Sequence, residues 1–400
     1  MHGGALGTVL ARAELEGARV TVLNLGGLAN PDVLLVHRDG APPLVVKDWS
    51  RRSAWVRALV APLLARHELA MLERAAGLPG VPRPQGRIDR LALALEFVDG
   101  RPLRRRTYGR ALPAAFFAAL EEILEGLARR GVVYLDLRSP SNVLVTPALA
   151  PVLVDLGSAL RLPLPAALRR ALERRALAKL RARFERRSGD APARAAPEDL
   201  GRDLKVAGTR FRVRERGAPG SSTPVLLLPE AGFSARLLEP VALELARAGR
   251  HTLAVDLPGF GGSRRRVATL EPERLAAQLD ALLQALRLRH ADVCAAGFGA
   301  RVARALAARA PARIGRVLAI AASNWAELGG AEELRARLRA QLPAALPAAL
   351  RGELEAELAE TPAQNLALAL RAAHADPTPI GVSWDEALAP GRVAAELARG

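Results

Sequence analysis

The chain predicts two folded halves of different class: an α+β, two-lobed first half and an α/β doubly wound second half. Three observations carry this. Residues 20–47 alternate β-rich runs with turn signals before the first helical stretch. From Leu204 onward strand and helix patterns alternate, the signature of a parallel sheet with helices on its faces. Between them SGDAPARAAPEDLG reads as a linker by composition. The expected boundaries are 1–188, a linker at 189–202, and 203–400.

In a chain of 400 residues, 50% hydrophobic and 25% charged, both halves have ample material for a core. The net charge of +17 suggests an anionic partner, but the excess is spread along the chain and is almost all arginine. With aromatics at 4% and no zinc-ligand spacing, no nucleic-acid module is visible and none is expected as a specific partner. One cysteine, Cys294, excludes an intramolecular disulfide and fits a reducing compartment. The opening residues lack a signal-peptide layout, and no apolar run is long enough to span a bilayer. The expected location is cytoplasmic.

Taken in order, VLLVH and PLVVK read as strands, with NLGG and RDGAPP as turns. Lys47 ends the apolar run LVVK in a chain whose only other lysines are Lys179 and Lys205. A flexible point charge reaching phosphates is one reason for lysine there, and an exposed strand end is the plainer one. RALVAPLLARHELAMLERAAG is helical and carries Glu68 and Glu73 five positions apart, so only one of them faces the strand lysine. LALALEFVDGRPL is a strand and a turn, and PAAFFAALEEILEGLARRG is an amphipathic helix. The stretch GVVYLDLRSPSNVLVTPALAPVLVDLGS then sets Asp136, Arg138, Asn142 and Asp155 on and between two short strands. A polar hairpin turn would also contain such residues.

The joint order of Lys47, Glu68, Asp136, Asn142 and Asp155 resembles protein-kinase-like enzymes, and the short segment after Ser158 is similar to the RIO and lipopolysaccharide-kinase branch. The resemblance implies a kinase-like first half binding ATP and Mg2+. Lys47 would position phosphates and Glu68 would fix Lys47. Gly26 and Gly27 would lie in the nucleotide-covering loop, and Glu96 and Val98 would present backbone groups to adenine. Asp136 would orient the acceptor hydroxyl, Arg138 would offset γ-phosphate charge, and Asn142 and Asp155 would hold the metal. The loop LRSPS between Asp136 and Asn142 is one residue longer than the kinase pattern. The acceptor would be a glycolipid sugar or a protein serine/threonine. The basic helix at 165–187 is either the last helix of this half or a peripheral contact with an anionic membrane.

In the second half, DLPGFGGS and the strand–turn–helix from Cys294 to Ala308 resemble the α/β-hydrolase family. Against the motif G-x-S-x-G, the turn Gly297-Phe298-Gly299-Ala300-Arg301 puts Gly299 at the serine position and Arg301 at the closing glycine. Pro229-Glu230 stands where His-Gly is usual, and Cys294 reads as a buried apolar residue. Helical sequence after 323 resembles a cap, and His374 and Asp376 lack a nucleophile to serve. The expectation is therefore an ATP- and magnesium-dependent phosphotransferase fused to a degenerate or truncated hydrolase-like half, with hydrolase activity unexpected. The alternatives are a hydrolase with a regulatory kinase-like half, or a scaffold without catalysis in either half.

Overall fold

The computed structural model describes residues 10–108, 111–134, 136–161, 166–186, 201–220, 222–263, 265–320, 325, 328–374 and 393, 395 and 397. The chain divides into two compact units, Met1–Leu200 and Gly201–Gly400. Most of the expected linker, 189–200, and also Asp376 lie outside the described residues.

The first unit opens with a short helix α1 (Arg12–Gly17), closed at its start by Glu14, whose carboxylate accepts the Ala11 N–H at 2.6 Å. Strands β1 (Arg19–Asn24), β2 (Asp32–Arg38) and β3 (Ala41–Asp48) follow. In β2 alternate residues are buried, with Leu34 and Val36 fully so, because a strand throws successive side chains to opposite faces. Helix α2 (Ala61–Ala75) is entered through a π turn at Val56–Val60 and turns Ala61, Ala65, Glu68, Leu69 and Leu72 inward. Strands β4 (Pro84–Asp89) and β5 (Ala92–Glu96) complete an antiparallel sheet in the order β1-β2-β3-β5-β4.

A smaller sheet and helices make the rest of the unit: β6 (Arg101–Pro102), α3 (Arg105–Tyr108), α4 (Ala114–Arg129), β7 (Val143–Val145), β8 (Pro151–Leu153) and α5 (Ala166–Phe184). Helix α4 buries Phe116, Phe117, Leu120, Ile123, Leu124 and Leu127, the three-to-four spacing of a core-facing stripe. It stops at Gly131, whose φ of +71° lets the N–H groups of Gly131 and Val132 return to the carbonyls of Ala128 and Leu127. Leu177, Leu180 and Phe184 of α5 are buried in the same core, so that stretch of its apolar side is used inside the unit.

The second unit begins with a hairpin, β9 (Arg202–Val206) and β10 (Thr209–Arg216). Then come β11 (Val225–Leu228), α6 (Glu239–Arg247), β12 (Thr252–Asp256), α7 (Pro272–Ala285), β13 (Ala291–Ala296), α8 (Phe298–Arg309) and β14 (Ile314–Ile320). The sheet order is β14-β13-β11-β12-β10-β9, with β11 parallel to β12 and β13, β13 parallel to β14, and β10 antiparallel to β12. Strands β11, β12 and β13 are buried along their whole length, as doubly covered parallel strands must be. The chain leaves β11 towards β12 on one side and returns to β13 on the other. That reversal opens a crevice at the carboxyl ends of β11 and β13, where doubly wound sheets bind ligands. Helices α9 (Ala331–Ala340), α10 (Ala348–Glu360) and α11 (Ala363–His374) follow as a group and supply the cap expected from the sequence.

Candidate active site

The crevice between β11 and β13 is built from two backbone turns and one carboxylate. Strand β13 ends at Ala296, Gly297 follows with φ 47° and ψ −114°, and α8 starts at Phe298. A side chain is strained in this conformation, and a Cβ on Gly297 would stand 1.6 Å from Glu230 Oε2. Gly299, one position into the helix, meets backbone instead: its Cβ would fall 2.5 Å from the Pro229 carbonyl oxygen and 2.7 Å from that of Leu228. Glycine there lets α8 lie against the end of β11.

This geometry corrects the sequence alignment of the turn. The strained residue at the head of a strand-to-helix elbow is where a nucleophile stands. That residue is Gly297, two positions before Gly299. Gly299 is the closing small residue, a role the sequence reading gave to Arg301. Ala295 occupies the place of the first glycine, which is why a motif anchored on glycines slides by two. A glycine still holds the nucleophile position.

Glu230 fills the space. Its Oε1 accepts the N–H of Ala231 at 2.8 Å and the N–H of Phe298 at 2.7 Å. Two converging backbone donors, one from the turn after β11 and one from the first turn of α8, form the arrangement that receives the oxygen of a tetrahedral intermediate. Glu230 is only 5% exposed. Burial pushes its carboxyl up to about 8, against the lowering pull of the two N–H donors and Arg301. Near neutrality the acid is thus mostly protonated, its carbonyl oxygen taking both N–H bonds.

The surroundings fix these turns. Asp256, at the end of β12, accepts Arg214 at 2.6 Å, the Ala235 N–H at 2.8 Å and the Gly262 N–H at 2.7 Å, which ties down the DLPGFGGS turn. From the cap, Asn365 donates to the carbonyls of Gly259 and Arg265, Thr361 donates to that of Gly232, and the Glu357 carboxylate accepts the Ser234 N–H. A cavity of about 10 Å³ remains beside Glu230, lined by Phe233, Leu237, Leu338, Gln341, Leu342 and Pro343. That is room for about one water molecule. Cys294 is buried in β13 before the turn, and burial raises its thiol to about 12, so it is an apolar core residue and not a nucleophile. His374 closes α11.

The first unit gathers a second polar cluster. Lys47 Nζ, buried on β3, donates to Glu68 of α2 and, at 3.0 Å, to Asp155 Oδ1. Burial opposes the Lys47 charge, but Glu68 and Asp155 outweigh it and raise its pKa; burial likewise opposes the Asp155 charge, and Lys47 outweighs it and lowers that pKa. The Gly157 N–H adds a bond to Asp155 at 3.2 Å. Ahead of β7, Asp136 accepts Ser139 at 3.0 Å and the Asn142 amide at 3.1 Å, and the same amide donates to the Tyr134 hydroxyl at 3.1 Å. Arg138 is exposed. Among the described residues, no group of three or more histidine, cysteine or carboxylate side chains is placed to share a metal ion.

The remaining predicted residues sit apart from that cluster's hydrogen bonds. The Gly26 N–H is bound to Asp32 at 3.0 Å, and Arg52 holds the carbonyls of Gly26 and Gly27. The N–H of Glu96 is taken by the Arg83 carbonyl, and its carboxylate accepts the Arg83 N–H. Val98 lies just beyond β5, partly buried. The sequence reading noted Glu230 only as a departure from a pattern. A carboxylate two residues past the apolar run VLLL was the available signal.

Residues 224–375 match a family model described as the alpha/beta hydrolase fold. Comparison with curated proteins finds no match. Among solved structures, the chain is similar to a hydrolase from Pseudomonas aeruginosa PA01, 25% identical, covering 44% of this chain and 73% of that one with a TM-score of 0.35. An enol-lactonase from Burkholderia xenovorans LB400 is 22% identical, covering 44% of this chain and 74% of that one with a TM-score of 0.38. A thermophilic esterase from Thermogutta terrifontis is 17% identical, covering 44% and 72%, with a TM-score of 0.35.

The family match lies wholly in the second unit, and it overturns the expectation that the protein is an ATP-binding phosphotransferase in which hydrolase activity is out of place. The first unit has strands and helices but no demonstrated kinase fold. Among the described residues no helix is long and apolar enough to cross a membrane. Over residues 224–375 the chain has the alpha/beta hydrolase fold, with a glycine where the fold carries its nucleophile and a carboxylate from the facing turn in the space above it.

Proposed function

We propose that the second unit is a hydrolase of small carboxylic esters in which Glu230 replaces the nucleophilic serine as a general base. The observation that carries this is the convergence of the Ala231 and Phe298 N–H groups on one carboxylate oxygen at 2.8 and 2.7 Å. A substrate carbonyl oxygen would take the place of Glu230 Oε1 between those donors. The carboxylate, which already fills the room above Gly297, would swing off the two donors towards the cavity beside it. From there Glu230 removes a proton from water as the water oxygen bonds to the carbonyl carbon, and the oxyanion is held by the two N–H groups. The intermediate collapses by breaking the bond to the leaving oxygen, which receives the proton from Glu230. The apolar lining from Phe233, Leu237, Leu338 and Leu342 suits a short acyl chain, and the small cavity means that the 341–343 turn must lift to admit it. The first unit, expected from sequence as kinase-like, is regulatory in this reading.

The test is turnover of p-nitrophenyl acetate by the full chain. Activity should rise with pH to a plateau above about 8, where burial places the Glu230 carboxyl, since the base must be unprotonated. Glu230→Gln should lower turnover by about 10²–10⁴-fold, the range of a lost general base. Equal turnover by that variant sinks the proposal. The occupation of both donors by the protein's own carboxylate favours one second reading, a ligand-binding unit without turnover. A folded wild-type chain that binds but never hydrolyses esters would establish it.

A further inference from the structure

We infer that the outer face of the helix beginning at Ala54 in the first unit docks on an anionic lipid surface. Four large apolar side chains are exposed in the first unit's N-terminal region: Trp55 at 53%, Leu59 at 68%, Leu63 at 68% and Leu28 at 79%. Trp55, Leu59 and Leu63 recur every four residues, one per turn through the π turn and into α2. The opposite face of the same helix already supplies the core, with Val56, Ala61, Ala65, Leu69 and Leu72 buried. The exposed stripe is therefore surplus to folding. Leu28 lies on the loop tied to the foot of this helix, where Arg52 holds the carbonyls of Gly26 and Gly27 and the Trp49 indole donates to the Ala29 carbonyl at 2.8 Å.

Charge selects the occupant. Residues 49–67 contain Arg51, Arg52, Arg57 and Arg66 and no aspartate or glutamate. Arg57 and Arg66 are exposed on the same helix, while Arg52 is spent on Asp32 and Arg51 is engaged within the chain. Tryptophan and leucine entering at headgroup depth, with arginines at the level of the lipid phosphates, is the composition of an interfacial helix. A protein partner would need a complementary acidic rim, whereas an anionic bilayer supplies negative charge all round the patch. This surface is distinct from α5, whose Leu177, Leu180 and Phe184 face the core.

The experiment is co-sedimentation of the full chain with vesicles of phosphatidylcholine alone or with phosphatidylserine added, alongside a Leu59→Glu/Leu63→Glu variant. Wild type should partition onto the anionic vesicles more tightly than onto the neutral ones by on the order of 30-fold, from Arg57 and Arg66. Added salt should weaken that preference. The variant should stay in the supernatant while its far-UV circular dichroism and melting match wild type, because neither position is buried. A second variant, Trp55→Ala, should weaken binding without introducing charge. Wild type remaining in the supernatant with both vesicle types overturns the inference, as does equal sedimentation of the double glutamate variant. Concentration-dependent dimerisation abolished by the same variant, with no vesicle binding, would assign the face to a second copy of the chain instead.

Discussion

At the residue scale the second unit turns on the pair Glu230 and Gly297. A carboxyl raised from 4.5 to about 8 by burial means that the native state holds a proton the unfolded chain has released. The stabilisation is full below pH 4.5 and is lost as pH rises through about 8, on the order of 5 kcal/mol at about 1.4 kcal/mol per pKa unit. Denaturant melts of wild type should therefore weaken across that window, and those of Glu230→Gln should weaken by less, with the raised carboxyls of Glu68 and Glu357 still contributing. The steric side of the pair is separately testable. Gly297→Ala places a methyl group on the Glu230 carboxylate and forces a positive φ on alanine. It should cost about 1–3 kcal/mol from the backbone alone. Combining it with Glu230→Ala should recover the steric part, so a double-mutant cycle should show coupling. Strict additivity would mean that the carboxylate does not occupy that space.

Among elements, the instructive pairing is β3 with α2. Lys47 and Glu68 are both buried and bonded to one another, and Asp155 completes the cluster from beyond β8. Removing Glu68 leaves the buried Lys47 charge balanced by the half-exposed Asp155 alone. Glu68→Ala should destabilise the first unit by about 3–5 kcal/mol, whereas replacing Lys47 and Glu68 together with methionine and leucine should cost far less. Chemical unfolding followed by Trp49 fluorescence reads this out. The Lys47–Glu68 contact was expected only through the resemblance, since a lysine at a strand end is as readily exposed and Glu73 on the same helix competes with Glu68 for it. The register of the elbow at Gly297 was not legible, since glycines at 297 and 299 both satisfy a motif written in glycines. Only the strand end at Ala296 and the sign of φ separate them.

For the whole molecule, the single cysteine offers a reporter. Cys294 sits in β13 with no exposed surface and a thiol raised to about 12 by burial. Modification by a thiol reagent at pH 8 should be slow in the native protein and should accelerate only with opening of the parallel sheet. Its dependence on denaturant should follow the unfolding of the second unit and be unmoved by Glu68→Ala in the first. Labelling of the folded chain as fast as a free thiol would contradict the buried placement of β13.

By itself the sequence determined the element types and the change of class near residue 203. Strand and helix are written in periods of two and three to four, and each period is a local property of the chain. It also determined that the serine of the hydrolase motif is missing. What the tertiary structure decided is which residue stands in its place. Glu230 and Phe298 are far apart in sequence and meet because β11 and β13 are parallel neighbours whose carboxyl ends open on the same crevice. The upward shift of the Glu230 carboxyl arises there too, since its burial joins nearby Phe233 and Leu237 with Leu338 and Leu342, which are distant in the chain.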